Sequence, residues 1–348
     1  MKTKKWTVAL LGIGLMLGSA LTACGNNGGN AEAGATGASS AAASPSASAS
    51  SSAASSTTDA STAAASPAAA AATRTYTDAV GRQVEIPVKP AKLVAHYFAS
   101  EMVALGQPMI GTNHVNAKQS LSEEQLSGIE DVGGADLVPN AEKLIALAPD
   151  LIVVPDFVEK GDLDQLSKIA PTVAIAYGTD EFTRLRTLGD LVGRADAADA
   201  WIAAYEDKAA QTRDKLKSAI SEGETATAFV LYGDKKLYVY GPARVGVTLY
   251  DSLGFVMPKS VGDAFAGGTE LWKEISIEKL PDYAGDRILL VQSAGSEDTL
   301  QALKDSPIWS TLPAVKSGHA YVVPVRWGLN DPLTLEWQLD EAAKLLAP

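Results

Sequence analysis

From residue 93 onwards, short unbroken apolar runs alternate with longer segments whose apolar positions recur every three or four residues. The runs at 93–97, 109–111, 151–154 and 173–177 read as strands, because Val-, Ile- and Leu-rich stretches of that length suit a sheet covered on both faces. Between them 101–105, 141–147 and 163–169 read as helices. Ahead of these, Tyr76-Thr77-Asp78 and Val84-Glu85-Ile86 flank Ala79-Val80-Gly81-Arg82, the pattern of a small hairpin. Strands alternating with helices predict an α/β lobe with a mostly parallel sheet.

The period then changes. Residues 182–192 are amphipathic, Gly193 interrupts, and 196–221 forms one long helical run. Its apolar side is Trp201, Ile202, Tyr205, Ala209, Leu216 and Ile220, and its polar side carries Glu206, Asp207, Lys208, Arg213, Asp214 and Lys217. At about 1.5 Å per residue this helix is roughly 40 Å long, the span of a small domain. Alternation resumes beyond it. Strands are expected at 226–232, 237–240, 287–292 and 320–323, and helices at 247–253, 299–303 and 334–346. The two halves echo each other. Asn140-Ala141-Glu142-Lys143-Leu144 precedes the strand at 151–154, and Ser276-Ile277-Glu278-Lys279-Leu280 precedes the strand at 287–292. Two Rossmann-like lobes with mostly parallel sheets, joined by one long α-helix, is the simplest architecture, with an interlobe cleft as the default binding site.

The amino-terminal stretch is different material. Lys2, Lys4 and Lys5 precede an uncharged run from Trp6 to Ala23, which ends in Leu21-Thr22-Ala23-Cys24. A basic head, an apolar run and small residues at the cut make a secretory signal. Cys24, the only cysteine, stands where the lipobox of bacterial lipoproteins places the residue that receives a diacylglycerol. Residues 25–73 are almost wholly Ala, Ser, Thr, Gly and Pro, without Lys, Arg, Leu, Ile, Val or aromatics. Such a segment buries too little apolar surface to offset its ordering entropy, so it reads as a disordered tether. Its coil dimension would be about 40 Å. The expected division is a signal peptide at 1–23, the lipidated Cys and tether at 24–73, a first lobe at 74–195, the interlobe helix at 196–221 and a second lobe at 222–348.

Of the 29 basic side chains three lie in the signal, so the mature chain carries 26 against 41 acids, a net charge of −15. That excludes nucleic acid as a partner and argues against broad docking on anionic lipid. Membrane attachment is expected through the lipid anchor only, on the extracellular face. With Cys24 consumed, no thiol remains for a disulfide, a zinc–thiolate site or thiol catalysis.

From Tyr76 to its end the chain resembles the substrate-binding lipoproteins of iron–siderophore ABC importers. The residues that carry the resemblance are Thr77-Asp78-Ala79-Val80-Gly81-Arg82, the 140–154 block, Ala170-Pro171-Thr172-Val173 and Leu237-Tyr238-Val239-Tyr240-Gly241. To these are added Tyr283-Ala284-Gly285-Asp286, Pro307-Ile308-Trp309 and Asn330-Asp331-Pro332-Leu333-Thr334-Leu335. The second-lobe markers look most like the ferric hydroxamate branch. The resemblance implies a periplasmic-binding-protein-like fold with a helical backbone and a ferric siderophore as ligand rather than any cofactor. It implies no catalytic residue, and a permease with its cytoplasmic ATPase as partner. A monomer is expected. In that family one glutamate per lobe docks into the permease, and the matching positions are Glu142 and Glu278. The bland alternative for both is a carboxylate favoured near a helix N-terminus.

A chelated iron needs aromatic and polar groups facing an organic shell, and Arg where anionic oxygen is exposed. Candidates at strand ends are His96, Tyr97, Asn113, His114 and Tyr177 in the first lobe, and Tyr232, Tyr240, Arg244, Arg326 and Trp327 in the second. Arg244 and Arg326 lead, although an exposed arginine is more often a solvated surface charge. The tyrosines are equally readable as core, and the histidines as satisfied polar neighbours. The loop Pro242-Ala243-Arg244-Val245-Gly246 is shorter than in hydroxamate-binding relatives and has no Trp, so carboxylate as well as hydroxamate chelators fit. Two rivals stand beside this reading. A free zinc or manganese binder, or a haem or cobalamin binder, would belong to a related importer; the metal site would need converging His and acid ligands, and there are three histidines. A surface hydrolase would need a nucleophile motif, and neither Gly-x-Ser-x-Gly nor His-Glu-x-x-His occurs.

Overall fold

The computed structural model describes residues 72–133, 137–268 and 270–347. The signal at 1–23, Cys24 and the tether up to residue 71 lie outside the described residues. Described structure begins with a hairpin, β1 (Thr73–Thr77) against β2 (Gln83–Pro87). The Asp78 carboxylate fixes its turn by accepting from the N–H groups of Val80 and Arg82 and pairing with the Arg82 guanidinium at 2.7 Å. Gly81 supplies the left-handed φ of 81° that the turn requires.

In the first lobe β3 (Leu93–Ala95), β4 (Gly111–Thr112), β5 (Glu130–Asp131), β6 (Leu151–Pro155) and β7 (Thr172–Ile175) form one parallel sheet. Its order is β5-β4-β3-β6-β7. The chain moves outward from β3 and then returns to its other side, so the carboxyl ends of β3 and β6 flank a topological switch point. That is where open α/β sheets bind ligands. The second lobe has β8 (Ala226–Leu231), β9 (Leu237–Tyr240), β10 (Trp272–Ile275), β11 (Arg287–Gln292) and β12 (Ala320–Pro324), in the equivalent order β10-β9-β8-β11-β12. Here β8, β11 and β12 are parallel, whereas β9 runs antiparallel to both β8 and β10. The tight turn after β8 causes this reversal, since a short connection can only fold the chain back.

The linking helix spans Ala195–Leu216 and ends before the 221 read from the pattern. Its early turns put Ala198 and Ile202 into the first lobe's core, and its later turns put Tyr205, Ala209 and Leu216 into the second's. The carboxyl-terminal helix Pro332–Leu345 also serves both: Leu333 packs on the first core, while Leu335, Leu339 and Ala342 lie in the second. Two shared helices therefore limit how far the lobes can swing. The apolar pattern does not reveal β5, β10 or the helix Lys259–Phe265. β5 is two acidic residues whose pairing comes from β4 rather than from any apolar run.

Candidate functional site

The loops that leave β3, β6 and β7 bring three aromatic rings together. Tyr97 meets Phe157 edge-on at 5.6 Å and Tyr177 at 6.3 Å, and Phe157 meets Tyr177 at 5.5 Å. Edge-to-face contacts of this kind are worth about 0.5–1.5 kcal/mol each beyond area burial. They hold a wall whose outermost ring, Phe157, is 43% exposed. Phe157 is not among the strand-end candidates above, although Pro155-Asp156-Phe157 puts it directly after an apolar strand.

The polar first-lobe candidates shape loops instead. His96 is 0% exposed, with Nε2 donating to the Leu137 carbonyl at 3.1 Å and Nδ1 unpartnered. Burial pushes its pKa down to about 4, so the ring is neutral and interior, contrary to a cleft-lining role. Asn113 caps the helix His114–Ala117 by accepting from the Asn116 N–H at 3.1 Å, and His114 donates to the Ile129 carbonyl at 3.0 Å. Both side chains are spent on their own segment.

The second lobe's wall is built around β8–β10. The hydroxyls of Tyr232 and Tyr240 are 3.2 Å apart, and Tyr232 packs on Trp272 at 6.2 Å. Tyr240 is buried, which pushes its hydroxyl pKa up, so it supports the wall from behind. Arg244 takes a left-handed φ of 59°, donates from Nη1 to the Gly328 carbonyl at 2.7 Å and stacks on Trp272 at 4.8 Å. Arg326 stacks on Trp337 at 4.7 Å and reaches across to the first lobe, with Nη2 donating to the Ser120 carbonyl at 3.1 Å. In both arginines Nε is buried and unpartnered. Trp327 corrects another expectation: it is 3% exposed and packs edge-on against Trp337 inside the second core. Trp272 and Trp337, not Trp327, are the indoles beside the arginines.

Between the walls lies a cavity of about 380 Å³, to which the first lobe gives Tyr177, Asp180 and Glu181 and the second Pro242, Asp251 and Leu271. Tyr177 and Asn330 line it and also a smaller recess of about 30 Å³ beside Tyr97 and Ser120. Among the described residues no Lys or Arg lines the larger space, whose charged groups are all carboxylates. Burial raises the Asp251 pKa against the opposing pull of Arg213. A cavity of about 430 Å³ at the amino ends of the first-lobe strands, beside Pro90, Gln107 and Arg194, has no aromatic lining. Among the described residues no three His, Cys, Asp or Glu side chains are grouped to hold a metal ion.

Glu142 and Glu278 are both exposed. Glu142 sits in the first turn of Ala141–Leu147, capped by Asn140 accepting from the Lys143 N–H at 3.0 Å. Glu278 sits in a tighter 3₁₀ turn, Ile277–Lys279, where its own backbone N–H and the Ser276 hydroxyl hold its carboxyl below the usual range.

Comparison with known proteins agrees with this fold. Residues 100–326 match the periplasmic binding protein family. The chain is 33% identical over 276 residues to the iron(3+)-hydroxamate-binding protein FhuD of Bacillus subtilis, covering 77% of this chain and 84% of that one. The fold is similar to that of the FhuD protein from S. pseudintermedius, with a TM-score of 0.69, 28% identity and coverage of 79% of this chain and 98% of that one. It is also similar to FhuD2 of Staphylococcus aureus with bound ferrioxamine B, with a TM-score of 0.62, 28% identity and coverage of 74% and 98%.

Proposed function

We propose, because the chain belongs to the periplasmic binding protein family, that it captures a ferric siderophore in the interlobe cleft and delivers it to an ABC importer. The observation that carries this reading is the cavity lined by Tyr177 and Phe182 of the first lobe and by Pro242, Val247 and Leu271 of the second, with the Arg244–Trp272 stack on the loop that follows Ala243. Such a space grips an organic shell by stacking and a few directed hydrogen bonds. The protein acts as a binder and not as an enzyme. Tyr97, Tyr177 and Phe182 supply the aromatic faces of the two cavities, with Phe157 packed behind Tyr97 and Tyr177. Arg244 and Arg326, held beside the cleft by the Gly328 and Ser120 carbonyls, would turn donors toward chelator oxygen when ligand binds.

The charge of the lining favours hydroxamate complexes. Both arginines are already engaged by carbonyls, and the larger cavity presents only carboxylates. A neutral or cationic complex avoids the repulsion that a polyanionic citrate or catecholate complex would meet there. The names of FhuD of Bacillus subtilis and of FhuD2 with bound ferrioxamine B point the same way, whereas other relatives are named for citrate and enterobactin complexes.

Lipidation of Cys24 would tie the head to the outer face of the cell membrane, with the tether giving it reach to the permease. Glu142 and Glu278 would engage that permease as a monomer's two docking acids, one on each lobe. The test is tryptophan-fluorescence quenching of the mature protein against ferric hydroxamate, citrate and catecholate complexes and against free Zn²⁺ and Mn²⁺. Saturable, tight binding of hydroxamate complexes is expected. Binding of the bare ions alone, or of no iron complex, would refute the reading.

A further inference from the structure

Arg184 lies on the helix Glu181–Leu191 and is 3% exposed, an unusual place for a guanidinium on the buried stripe it shares with Leu185 and Leu188. Its Nε donates to Glu101 Oε1 at 2.8 Å, Nη1 to the carbonyls of Tyr177 and Thr179 at 3.3 Å each, and Nη2 to the carbonyl of Asn330 at 3.0 Å. Its charge also lies 5.8 Å from the centre of the Tyr177 ring. All but one of its N–H groups are thus committed to protein acceptors, although the side chain borders the smaller recess.

The four partners belong to three different pieces of the molecule. Glu101 is on the helix Ala99–Ala104, Tyr177 and Thr179 follow β7, and Asn330 is in the second-lobe loop that leads into the last helix. The same loop is held by further bonds across the junction. The Asn330 amide donates to Glu181 Oε1 at 2.6 Å, Asp331 accepts from the Ser100 hydroxyl, and the Leu333 N–H donates to Ser100 Oγ at 3.1 Å. Three carboxylates, Glu101, Glu181 and Asp331, therefore crowd the junction around one guanidinium. Tyr177 and Asn330 are also the two residues that line both cleft cavities.

We infer that Arg184 is the positioning residue of the cleft: from the floor of the smaller recess, with its N–H groups committed to protein, it holds the Tyr177 wall and the Asn330 loop at one fixed spacing. This rests on the siderophore-binding reading for its consequence but not for its geometry. A lysine cannot replace it, because a single ammonium on a flexible stem cannot serve three carbonyls and a carboxylate held in a planar fork.

Two variants and two readouts test it. Arg184→Lys keeps the charge beside Glu101. The pair E101L/R184M replaces the buried ion pair by apolar groups of similar size, a change that is often neutral for stability. Interlobe distance is read by spin labels at Lys168→Cys and Lys304→Cys in a Cys24→Ser background, without ligand. Affinity is read by quenching with ferrioxamine B. The wild type is expected to give one narrow distance, and both variants a broadened distribution with a tenfold or greater loss of affinity while the melting temperature of the double variant stays near that of the wild type. A narrow, wild-type distribution in the variants overturns the inference, as does affinity within twofold of wild type. If the wild type binds no ferrioxamine B, the siderophore reading fails, and the distance distributions still decide the role of Arg184.

Discussion

Arg326 of the second lobe donates from Nη2 to the carbonyl oxygen of Ser120 in the first, at 3.1 Å. The bond crosses the cleft at its rim, and burial lowers the arginine's pKa while Asp331 and Glu341 oppose that shift. A ligand entering the cleft meets a donor that already bridges the lobes. Arg326→Ala is expected to weaken siderophore binding by about 1.5–3 kcal/mol, the worth of a hydrogen bond to a charged group. Equilibrium quenching titrations check this, and an unchanged dissociation constant would place the ligand elsewhere.

Phe157 and Trp327 should separate contact from scaffold. Phe157 is 43% exposed and packs edge-on against Tyr97 and Tyr177, so Phe157→Ala is expected to lower affinity about tenfold with little change in urea midpoint. Trp327 is 3% exposed in the second core, so Trp327→Ala is expected to cost about 3–5 kcal/mol of stability. Paired titration and urea denaturation of both variants make the comparison. The opposite distribution of losses would make Phe157 the scaffold and Trp327 the contact.

Replacing Glu142 and Glu278 together by Ala should abolish siderophore uptake into cells carrying the cognate permease while quenching titrations stay at wild-type values. Both side chains are exposed and neither lines the cleft cavities. Normal uptake by the double variant would leave both as ordinary acids at helical starts.

His96 predicts a pH dependence with a definite sign. Its pKa is lowered to about 4 by burial, whereas the unfolded chain titrates near the ordinary value of about 6.5. Between these values the unfolded state binds the extra proton, so stability is full above pH ~6.5 and declines as pH falls toward ~4. The total loss is about 3 kcal/mol. His96→Gln should flatten that part of the profile in urea midpoints taken from pH 7 to pH 4.5. Parallel profiles for the two proteins would show that the imidazole is not the titrating group.

The architecture is legible from periodicity because strands buried on both faces leave unbroken apolar runs, as at β6 and β11. Short polar strands such as β5 are not, since their pairing is dictated by a neighbour. Among the residues that line the cavities, Tyr97 and Tyr177 are readable from their place after strands. The same rule points to His96 and Trp327, which prove interior, because it locates a loop and not the direction of a side chain. Arg184 does leave a sequence signal, a charge on an apolar helical stripe, but nothing local tells what that charge would meet.

Residue order alone determined two α/β lobes, one linking helix and an acidic composition, since each follows from local period, composition or charge. Only the folded arrangement decided which aromatics form the wall, that the arginines are tied to carbonyls, and that one guanidinium joins the lobes. Those contacts unite residues as far apart as Glu101, Arg184 and Asn330. Packing at that separation depends on how whole elements seat against one another, which no local pattern encodes.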